Sequence, residues 1–454
     1  MRRTVPFVVV VAAALAGLPG SAPRAEDAPA APAADAPTVT PEQRDAALAK
    51  AFRYLDEQVW GLDEGGSPRK QYTVAIMGLA SLLAGDRTGA DAARLPPRKK
   101  EAERARDYLV RYAAEVAALY AKDDRKREKD KRRDREPAAA PGFPMGPSQY
   151  VWPLGVSGLF LAESAKRGQA RKECTGALDD IVRVIEGAQQ ANGGWGHDDA
   201  QRPGLGLPPV KIPLPGRDAI DYPGTLLAAS NCALTGLGLA HALRGDAARA
   251  KSLENARDYY RSSQNGDGAW PYDPSQRDGD TPSGGEGNDA IARALAASRG
   301  DALSVARTTG AIFALLAGGE DPKSAEVARA LAIVDAHPEW AGEGHGSATM
   351  ALQWAALLAR ARGPEAWSTF RRTWFPRVLA AQKDDGSFDC ACAHASGATT
   401  CDTEPIGDLP GMDDWVRQAR VYVTAIHALV LVLDRADLQA VPKMPDVPAE
   451  TTPR

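Results

Sequence analysis

Residues 389–401 contain the densest group of chemically versatile side chains, in the stretch DCACAHASGATTC. It holds three thiols and an imidazole, from Cys390, Cys392, Cys401 and His394. Such a set can coordinate tetrahedral zinc, although a C-x-C spacing is poor for a zinc knuckle. If the chain is exported, disulfides are favoured, and we then expect Cys401 to pair with Cys390 or Cys392. Zinc and free thiols are the alternatives, and we predict no cofactor.

Other polar side chains stand just before apolar segments, where acid–base chemistry is possible. Glu343 and His345 precede one such segment in WAGEGHGSATMALQW. Asp221 and Tyr222 occupy a similar place in RDAIDYPGT. A polar loop that caps a helix has the same composition. We take Asp221, His345 and Asp389 as candidate acids, with Tyr222 and Glu343 beside them.

The stretch MDDWVRQARVYVTAIHAL adds four candidates, Asp413, Asp414, Tyr422 and His427. If the apolar segments are helices that begin at one end of a ring, these residues join the others at the rim of one cavity. His427 lies deeper, on an apolar helix, and is more typical of a core histidine than of a ligand. Carboxylates across a rim can also cleave glycosides, but 6% aromatic residues is low for a sugar-binding groove.

One pattern recurs along the chain and indicates an internal repeat. A Gln is followed four residues later by Gly and six residues later by an aromatic residue. The copies are Gln189, Gly193 and Trp195; Gln264, Gly268 and Trp270; and Gln382, Gly386 and Phe388. Weaker copies surround Trp60 and Trp340. We expect the glycine to end a helix, the Gln to bind loop backbone and the aromatic to fill the gap between helix pairs.

Two kinds of helical segment alternate between residues 41 and 437. Six carry an apolar stripe opposite charged residues, which is typical of helices with one solvated face. Six others are apolar nearly all round and must be buried on every side. This alternation predicts an all-α, single-domain (α/α)6 toroid with the apolar helices inside. Cys174 and Cys232 lie on consecutive outer and inner helices, where we expect buried free thiols.

The remaining segments define the ends and one insert. Residues 1–25 combine MRR, an apolar core and small residues, as in a secretory signal peptide. Residues 26–40 form an Ala/Pro-rich linker and residues 438–454 a Pro-rich tail. The mixed-charge run at 122–141 is expected to extend a helix into solvent or to be a disordered insert.

These features predict a periplasmic or secreted protein. No later segment reaches about 18 uninterrupted apolar residues, so the chain should not span a membrane once the signal is removed. The formal net charge of -4 gives no reason to expect nucleic acid as a partner.

The Q-x3-G-x-[WF] units resemble the QW repeats of the terpenoid cyclase and protein prenyltransferase superfamily, particularly those of squalene–hopene cyclases. The resemblance covers residues 41–437 and implies an (α/α)6 toroid, here as a divergent, exported member with a single ring. The D-x-D-D, D-D-x-x-D and G-C-G-E-Q motifs of these relatives are missing from the sequence. Prenyltransferase zinc ligands are matched in type and order by Asp389, Cys390, Cys392 and His427, but the first three follow the aromatic residue instead of opening the inner helix.

The function that we expect is therefore binding of an apolar ligand or a protein partner through the cavity or the rim. The inner helices offer mostly small aliphatic residues, with Trp152 and Trp354 the main aromatics. That is few for an enzyme that shields cationic intermediates. The alternative is an enzyme that acts on an isoprenoid or other apolar substrate. A glycan-processing enzyme is a third and less favoured hypothesis.

Overall fold

The computed structural model describes residues 39–62, 69–85, 95, 97–131, 150–196, 211–214, 217–221, 227–247, 250–271, 305–340, 348–391 and 412–444. In chain order the elements are α1 Pro41–Gln58, α2 Arg69–Gly85, α3 Lys99–Lys131, α4 Val151–Lys166, α5 Arg171–Ala188, β1 Lys211–Leu214, β2 Arg217–Asp221, α6 Leu227–Arg244, α7 Lys251–Ser263, α8 (residues 305–317), α9 Ala325–Ala336, α10 Ala348–Arg362, α11 Pro364–Ala380 and α12 Met412–Val432. Each predicted helix corresponds to one of these helices.

The odd-numbered helices are amphipathic, as the sequence predicts. α1 begins after Thr40, whose Oγ1 accepts a hydrogen bond from Gln43 N at 3.2 Å and so caps the helix. Leu48 and Phe52 of α1 are buried, whereas Lys50 between them is exposed. This spacing gives the helix one apolar face, which packs against the inner helices, and one solvated face.

The even-numbered helices are buried on nearly every side. In α4, every residue from Pro153 to Ala165 is buried. Small residues let these helices approach one another closely. A Cβ atom on Gly155 would lie 2.0 Å from Cys232 O, and one on Gly158 would lie 2.8 Å from Gly236 Cα. The residue number increases in the same direction on both helices, from Gly155 to Gly158 on α4 and from Cys232 to Gly236 on α6. The two helices are therefore parallel.

The even-numbered helices close into an inner ring. Gly238 of α6 packs on α8, where an added Cβ would lie 2.2 Å from Ala317 O. The rings of Phe313 on α8 and Trp354 on α10 lie 5.6 Å apart. α12 contacts both α10 and α2, and α2 contacts α4. The order α2, α4, α6, α8, α10, α12 therefore returns to α2, with the odd-numbered helices outside. The protein is an all-α (α/α)6 toroid, as predicted.

A buried ionic cluster joins the first outer helix to the end of the last inner helix. Arg44 of α1 binds Asp45 at 3.0 Å and also contacts Asp434, which follows α12. Arg435 Nη1 lies 3.0 Å from Asp45 Oδ1. Trp367 Nε1 of α11 donates to Asp434 Oδ1 at 2.9 Å. The ring is thus fastened where its two ends meet.

Residues 434–444, which we call the C-terminal strap, overlap the start of the segment predicted as a Pro-rich tail. The sequence-based tail begins at residue 438, but Leu438, Val441 and Met444 are buried. Their contacts belong to an irregular segment without helical or strand periodicity, which is why the pattern did not reveal them. The strap lies across the ends of α4 and α10.

Glu163, near the end of α4, anchors the strap. Its carboxylate accepts hydrogen bonds from Gln439 N at 2.8 Å and Ala440 N at 2.7 Å. Arg167 Nε donates to the same carboxylate at 2.8 Å. Burial raises the pKa of Glu163, while the two backbone N–H groups oppose that shift. The carboxylate is fully buried, so its partners are needed in the folded state.

Two further features differ from or refine the sequence prediction. β1 and β2 form an antiparallel hairpin that an all-α pattern did not include. Its register shifts between Ile212 and Leu214, because Pro213 has no N–H for the ladder. The first part of the mixed-charge run extends α3 as far as Lys131.

Candidate functional site

The second copy of the repeat shows how the motif joins neighbouring helix pairs. Gln264 Nε2 donates to Gly268 O and to Glu326 O, each at 2.9 Å, and so binds both its own turn and the start of α9. Trp270 is fully buried. Its backbone N–H donates to Thr308 Oγ1 on α8 at 3.2 Å. The turn is therefore tied to one outer and one inner helix.

The same bonds recur in the other two copies. Gln189 Nε2 donates to Gly193 O and Ser252 O, each at 2.8 Å. Gln382 Nε2 donates to Ala47 O at 2.9 Å and Gly386 O at 3.4 Å. The aromatic residues donate through their backbone N–H groups to Ser230 Oγ (from Trp195) and Thr424 Oγ1 (from Phe388), each at 3.0 Å.

The hydroxyl group on the next inner helix is a part of the repeat that sequence reasoning missed. It follows the aromatic residue by 35, 38 or 36 residues. A short motif search does not find it because the intervening connection varies in length. A Ser or Thr on the next apolar helix is the signal that points to it.

Each repeat glycine has a backbone conformation that favours glycine and also makes a close contact. The φ angles of Gly193, Gly268 and Gly386 are 91°, 98° and 90°. A Cβ atom on Gly193 would lie 2.1 Å from Asn255 O, and one on Gly386 would lie 2.4 Å from Lys50 O. The glycine therefore allows the turn and lets the next outer helix approach. These residues build the scaffold and offer no reacting group.

The weaker copies of the repeat place their aromatic residue differently. Trp60 is half-buried, with the Arg104 guanidinium 3.9 Å from its ring centre and Tyr108 at its edge. Trp340 is stacked on His337 at 3.7 Å. Neither tryptophan is fully buried between helix pairs, unlike those of the complete copies.

Polar side chains meet inside the inner ring. Tyr72 OH on α2 donates to Gln353 Oε1 on α10 at 3.1 Å, although α12 lies between these helices in the ring. Tyr422 of α12 contacts Tyr72, with ring centres 5.5 Å apart. Thr424, two residues later, accepts a hydrogen bond from Phe388 N of the third repeat and so faces the outer ring. Tyr422 therefore faces the interior, since residues two apart point to nearly opposite sides of a helix.

We call Tyr72, Phe313, Gln353, Trp354 and Tyr422 the interior cluster. All five are buried. Gln353 reaches toward α2, whereas Trp354 packs on Phe313 of α8. These two consecutive residues therefore lie on either side of the face of α10 that points to the centre of the ring. The cluster has aromatic faces and polar tips but no charged group. Side chains of this kind suit a neutral ligand.

Asp389, a candidate acid, is held in ion pairs. Lys383 Nζ lies 2.8 Å from one carboxylate oxygen, and Arg420 Nε lies 3.4 Å from the other. His427 is fully buried and meets the edge of Phe388 at 5.2 Å between ring centres. Of the residues placed at the rim from sequence, Tyr422 joins the interior cluster and His427 lies behind the third repeat.

Several predicted site residues lie outside the described residues, namely Tyr222, Glu343, His345, Cys392, His394 and Cys401. Only the backbone is described for Asp221, at the end of β2, and for Asp413 and Asp414, in the first turn of α12. The predicted disulfide and its zinc alternative therefore stay predictions. No set of three or more His, Cys, Asp or Glu among the described residues could hold a metal ion.

The described cysteines are buried. Cys174 and Cys232 are free thiols, as predicted. Burial raises the pKa of the Cys174 thiol to about 11 and raises that of Cys232 further. Both thiols are therefore unreactive at neutral pH. Cys390 is also buried, and its sulfur accepts a hydrogen bond from Thr349 Oγ1 at 3.5 Å.

A second polar group, which sequence reasoning missed, joins α5, α6 and α7. His241 Nδ1 lies 2.7 Å from Asp246 Oδ1, and its Nε2 lies 3.1 Å from Glu186 Oε1. Ser252 Oγ donates to the same Glu186 oxygen at 2.6 Å. The hydrogen bond with Glu186 raises the pKa of His241, and the hydrogen bond with His241 lowers the pKa of Glu186. We call these four residues the His241 cluster.

With the fold and sites described, the chain can be compared with known proteins. It is similar to the ligand-free structure of the type II terpene cyclase MstE from Scytonema, at 15% sequence identity and a TM-score of 0.41. The alignment covers 86% of this chain and 98% of that chain. No protein-family model matches the sequence, and no curated protein matches it either. The fold assignment rests on the helix contacts described above.

None of the described helices combines the length and the apolar character of a membrane span.

Proposed function

We propose that the protein is exported and binds a ligand or a protein partner through the interior or the rim of its toroid. The main support is the lengths of its connections. All inner helices run in one direction, so their first residues lie at one end of the ring. That end is the rim.

The longest connections in the chain are those that precede inner helices. Residues 197–226, 272–304 and 392–411 lead into inner helices, whereas residues 245–250 and 318–324 lead out of them. Long connections at one end of a rigid scaffold are typical of binding and catalytic sites. The short connections at the other end lie near the C-terminal strap.

The alternative is an enzyme for an isoprenoid or other apolar substrate. Alkene protonation requires a carboxylic acid that can carry a proton in an apolar site. Asp389 forms ion pairs with Lys383 and Arg420, so both of its carboxylate oxygens already have a cationic partner. This pairing favours binding over acid catalysis at Asp389.

Native mass spectrometry of the protein isolated from the exported fraction tests the proposal. We expect a mature mass that corresponds to cleavage between Ala22 and Ala25, and a bound molecule that is released on denaturation. Titration with polyprenyl and glycan panels would then define the ligand class. An uncleaved cytoplasmic protein would contradict export. A cleaved protein that carries no molecule, binds neither panel and forms no cross-link to another protein would contradict binding.

A further inference from the structure

We propose that the interior cluster binds a neutral carbonyl compound through two N–H groups, Gln353 Nε2 and Trp354 Nε1. This inference rests on the proposed binding function and specifies its location and chemistry. Neither group belonged to the candidates that the sequence suggested as chemically active.

The two N–H groups are buried and have no hydrogen-bond acceptor in the part of the chain that the structure describes. Gln353 is 0% exposed and Trp354 is 3% exposed. Among the described residues, neither Gln353 Nε2 nor Trp354 Nε1 has a partner. Tyr72 OH donates to Gln353 Oε1, so the Nε2 amino group is the polar atom of that amide that is left over. Buried polar groups are nearly always paired in folded proteins. An acceptor at this position would complete the site.

Contacts with neighbouring helices hold both side chains in place. Gln353 is fixed by Tyr72 on one side of α10, and the Trp354 indole is fixed by α8 on the other. A Cβ atom on Gly310 would lie 3.1 Å from Trp354 Cδ1 and 2.5 Å from Asn231 Nδ2, so the indole packs tightly against α8. These contacts restrict both side chains before any ligand arrives, which reduces the entropy lost on binding.

The surrounding side chains define the class of ligand. The aromatic rings of Tyr72, Tyr422 and Phe313 flank the donors and favour a flat or apolar body. A carbonyl oxygen has two lone pairs and no proton, so it matches N–H donors. The interior cluster has no charged residue, and burying an unpaired charge beside it would be costly. Ketones, esters and amides therefore fit better than carboxylates or ammonium ions.

Matched pairs of small probes test this inference. Acetophenone and benzophenone carry a carbonyl group, whereas ethylbenzene and diphenylmethane have similar shapes without it. We would titrate each into protein labelled with 15N-tryptophan and follow the indole N–H signal of Trp354, with benzoate as a charged control. At least one ketone should bind about a hundredfold more tightly than its hydrocarbon partner and shift this signal, as two additional hydrogen bonds predict.

Variants connect the effect to the two donors. Trp354→Phe and Gln353→Met should each reduce the preference for ketone over hydrocarbon by about tenfold, because each removes one N–H group. Trp60→Phe, outside the inner ring, should leave it unchanged. Circular dichroism would show that each variant is folded, and the hydrocarbon affinities would show that the site keeps its shape.

Three results would overturn the inference: equal affinity for ketones and hydrocarbons, equal affinity for benzoate, or a Trp354 signal that no probe shifts. The last result would mean that ordered water alone satisfies the donors. If these tests fail but native mass spectrometry still finds a bound molecule, the proposed binding function stands and only this location and chemistry are wrong.

Discussion

At the scale of single residues, the repeat glycines control how closely the outer helices approach. Gly193 and Gly245 both have left-handed backbone, with φ angles of 91° and 76°. Their surroundings differ, because a Cβ atom would meet Asn255 O at Gly193 and nothing within 4 Å at Gly245. Comparing substitutions at these two glycines therefore separates the free-energy cost of a Cβ in left-handed backbone from the cost of its contact with the next outer helix.

We predict that Gly193→Ala destabilises the protein more than Gly245→Ala does. Both substitutions place a Cβ in left-handed backbone, at a cost of about 1–2 kcal/mol. Gly193→Ala adds overpacking against a helix backbone, which costs about 1–3 kcal/mol more. Urea denaturation monitored by circular dichroism measures both free energies of unfolding. Equal losses for the two variants would show that the contact between outer helices has no energetic importance.

At the scale of secondary-structure elements, the His241 cluster couples three helices to pH. Protonated His241 can donate from both ring nitrogens, to Asp246 and to Glu186. Arg244 Nε also lies 3.4 Å from Asp246, and its Nη1 lies 3.5 Å from Asp179 of α5. The cluster therefore has more than one cation among its carboxylates.

We predict that the contribution of His241 to stability falls as the pH rises. The pKa of His241 is raised in the folded state. Its contribution to stability is therefore complete at pH values below its ordinary pKa and is lost as the pH rises through its pKa in the folded protein. Glu186, with a lowered pKa, stabilises above its ordinary pKa and loses this effect as the pH falls. The free energy of unfolding lost in His241→Gln should be greater at pH 6 than at pH 9, by on the order of 1 kcal/mol. A loss that does not change with pH would contradict a charged histidine.

The C-terminal strap is the second element whose stability depends on one side chain. We predict that Glu163→Ala destabilises the protein by about 3–5 kcal/mol, because it leaves Arg167 and two backbone N–H groups without their acceptor. Amide exchange in residues 438–444 should increase as well. Glu173→Ala, in the exposed first turn of α5, is the control and should change stability by less than about 0.5 kcal/mol. Similar effects in both variants would show that the strap does not depend on Glu163.

At the scale of the whole molecule, the toroid is closed, unlike a linear helical array. Gln382 binds Ala47 O of α1 just as the other repeat glutamines bind the next outer helix. The ionic cluster around Asp434 fastens the same boundary, where residues from opposite ends of the chain meet. We expect the two ends to loosen together.

We predict that Asp434→Ala raises amide exchange in α1 and α11 together. The substitution leaves Arg44 without one partner, and Trp367 Nε1 without its acceptor. Removing one member of a buried ion pair costs about 3–5 kcal/mol. Asp258→Ala, which removes an exposed partner of Arg261, is the control and should leave exchange in both helices unchanged. A change confined to residues next to 434 would mean that this boundary opens independently of the ring.

The sequence alone was sufficient for the helices and for the repeat turns. α4 could be assigned to the inner ring because all of its faces are apolar, and Gly193 could be assigned to a turn because few other residues adopt positive φ. The strap escaped because Leu438 and Val441 are buried without any periodic pattern. Among the candidate site residues, Tyr422 was recognised from sequence, but its partner Tyr72 was not.

Local chemistry therefore determined which segments are helical, which helices lie inside and where they end, since backbone preference and apolar periodicity act within a few residues. Only the tertiary structure decided which side chains meet. Tyr72 binds Gln353 across a separation of 281 residues, and His241 meets Glu186 across 55. Such pairs depend on how the helices pack, because the angles between helices place their residues together and no short stretch of sequence contains that geometry.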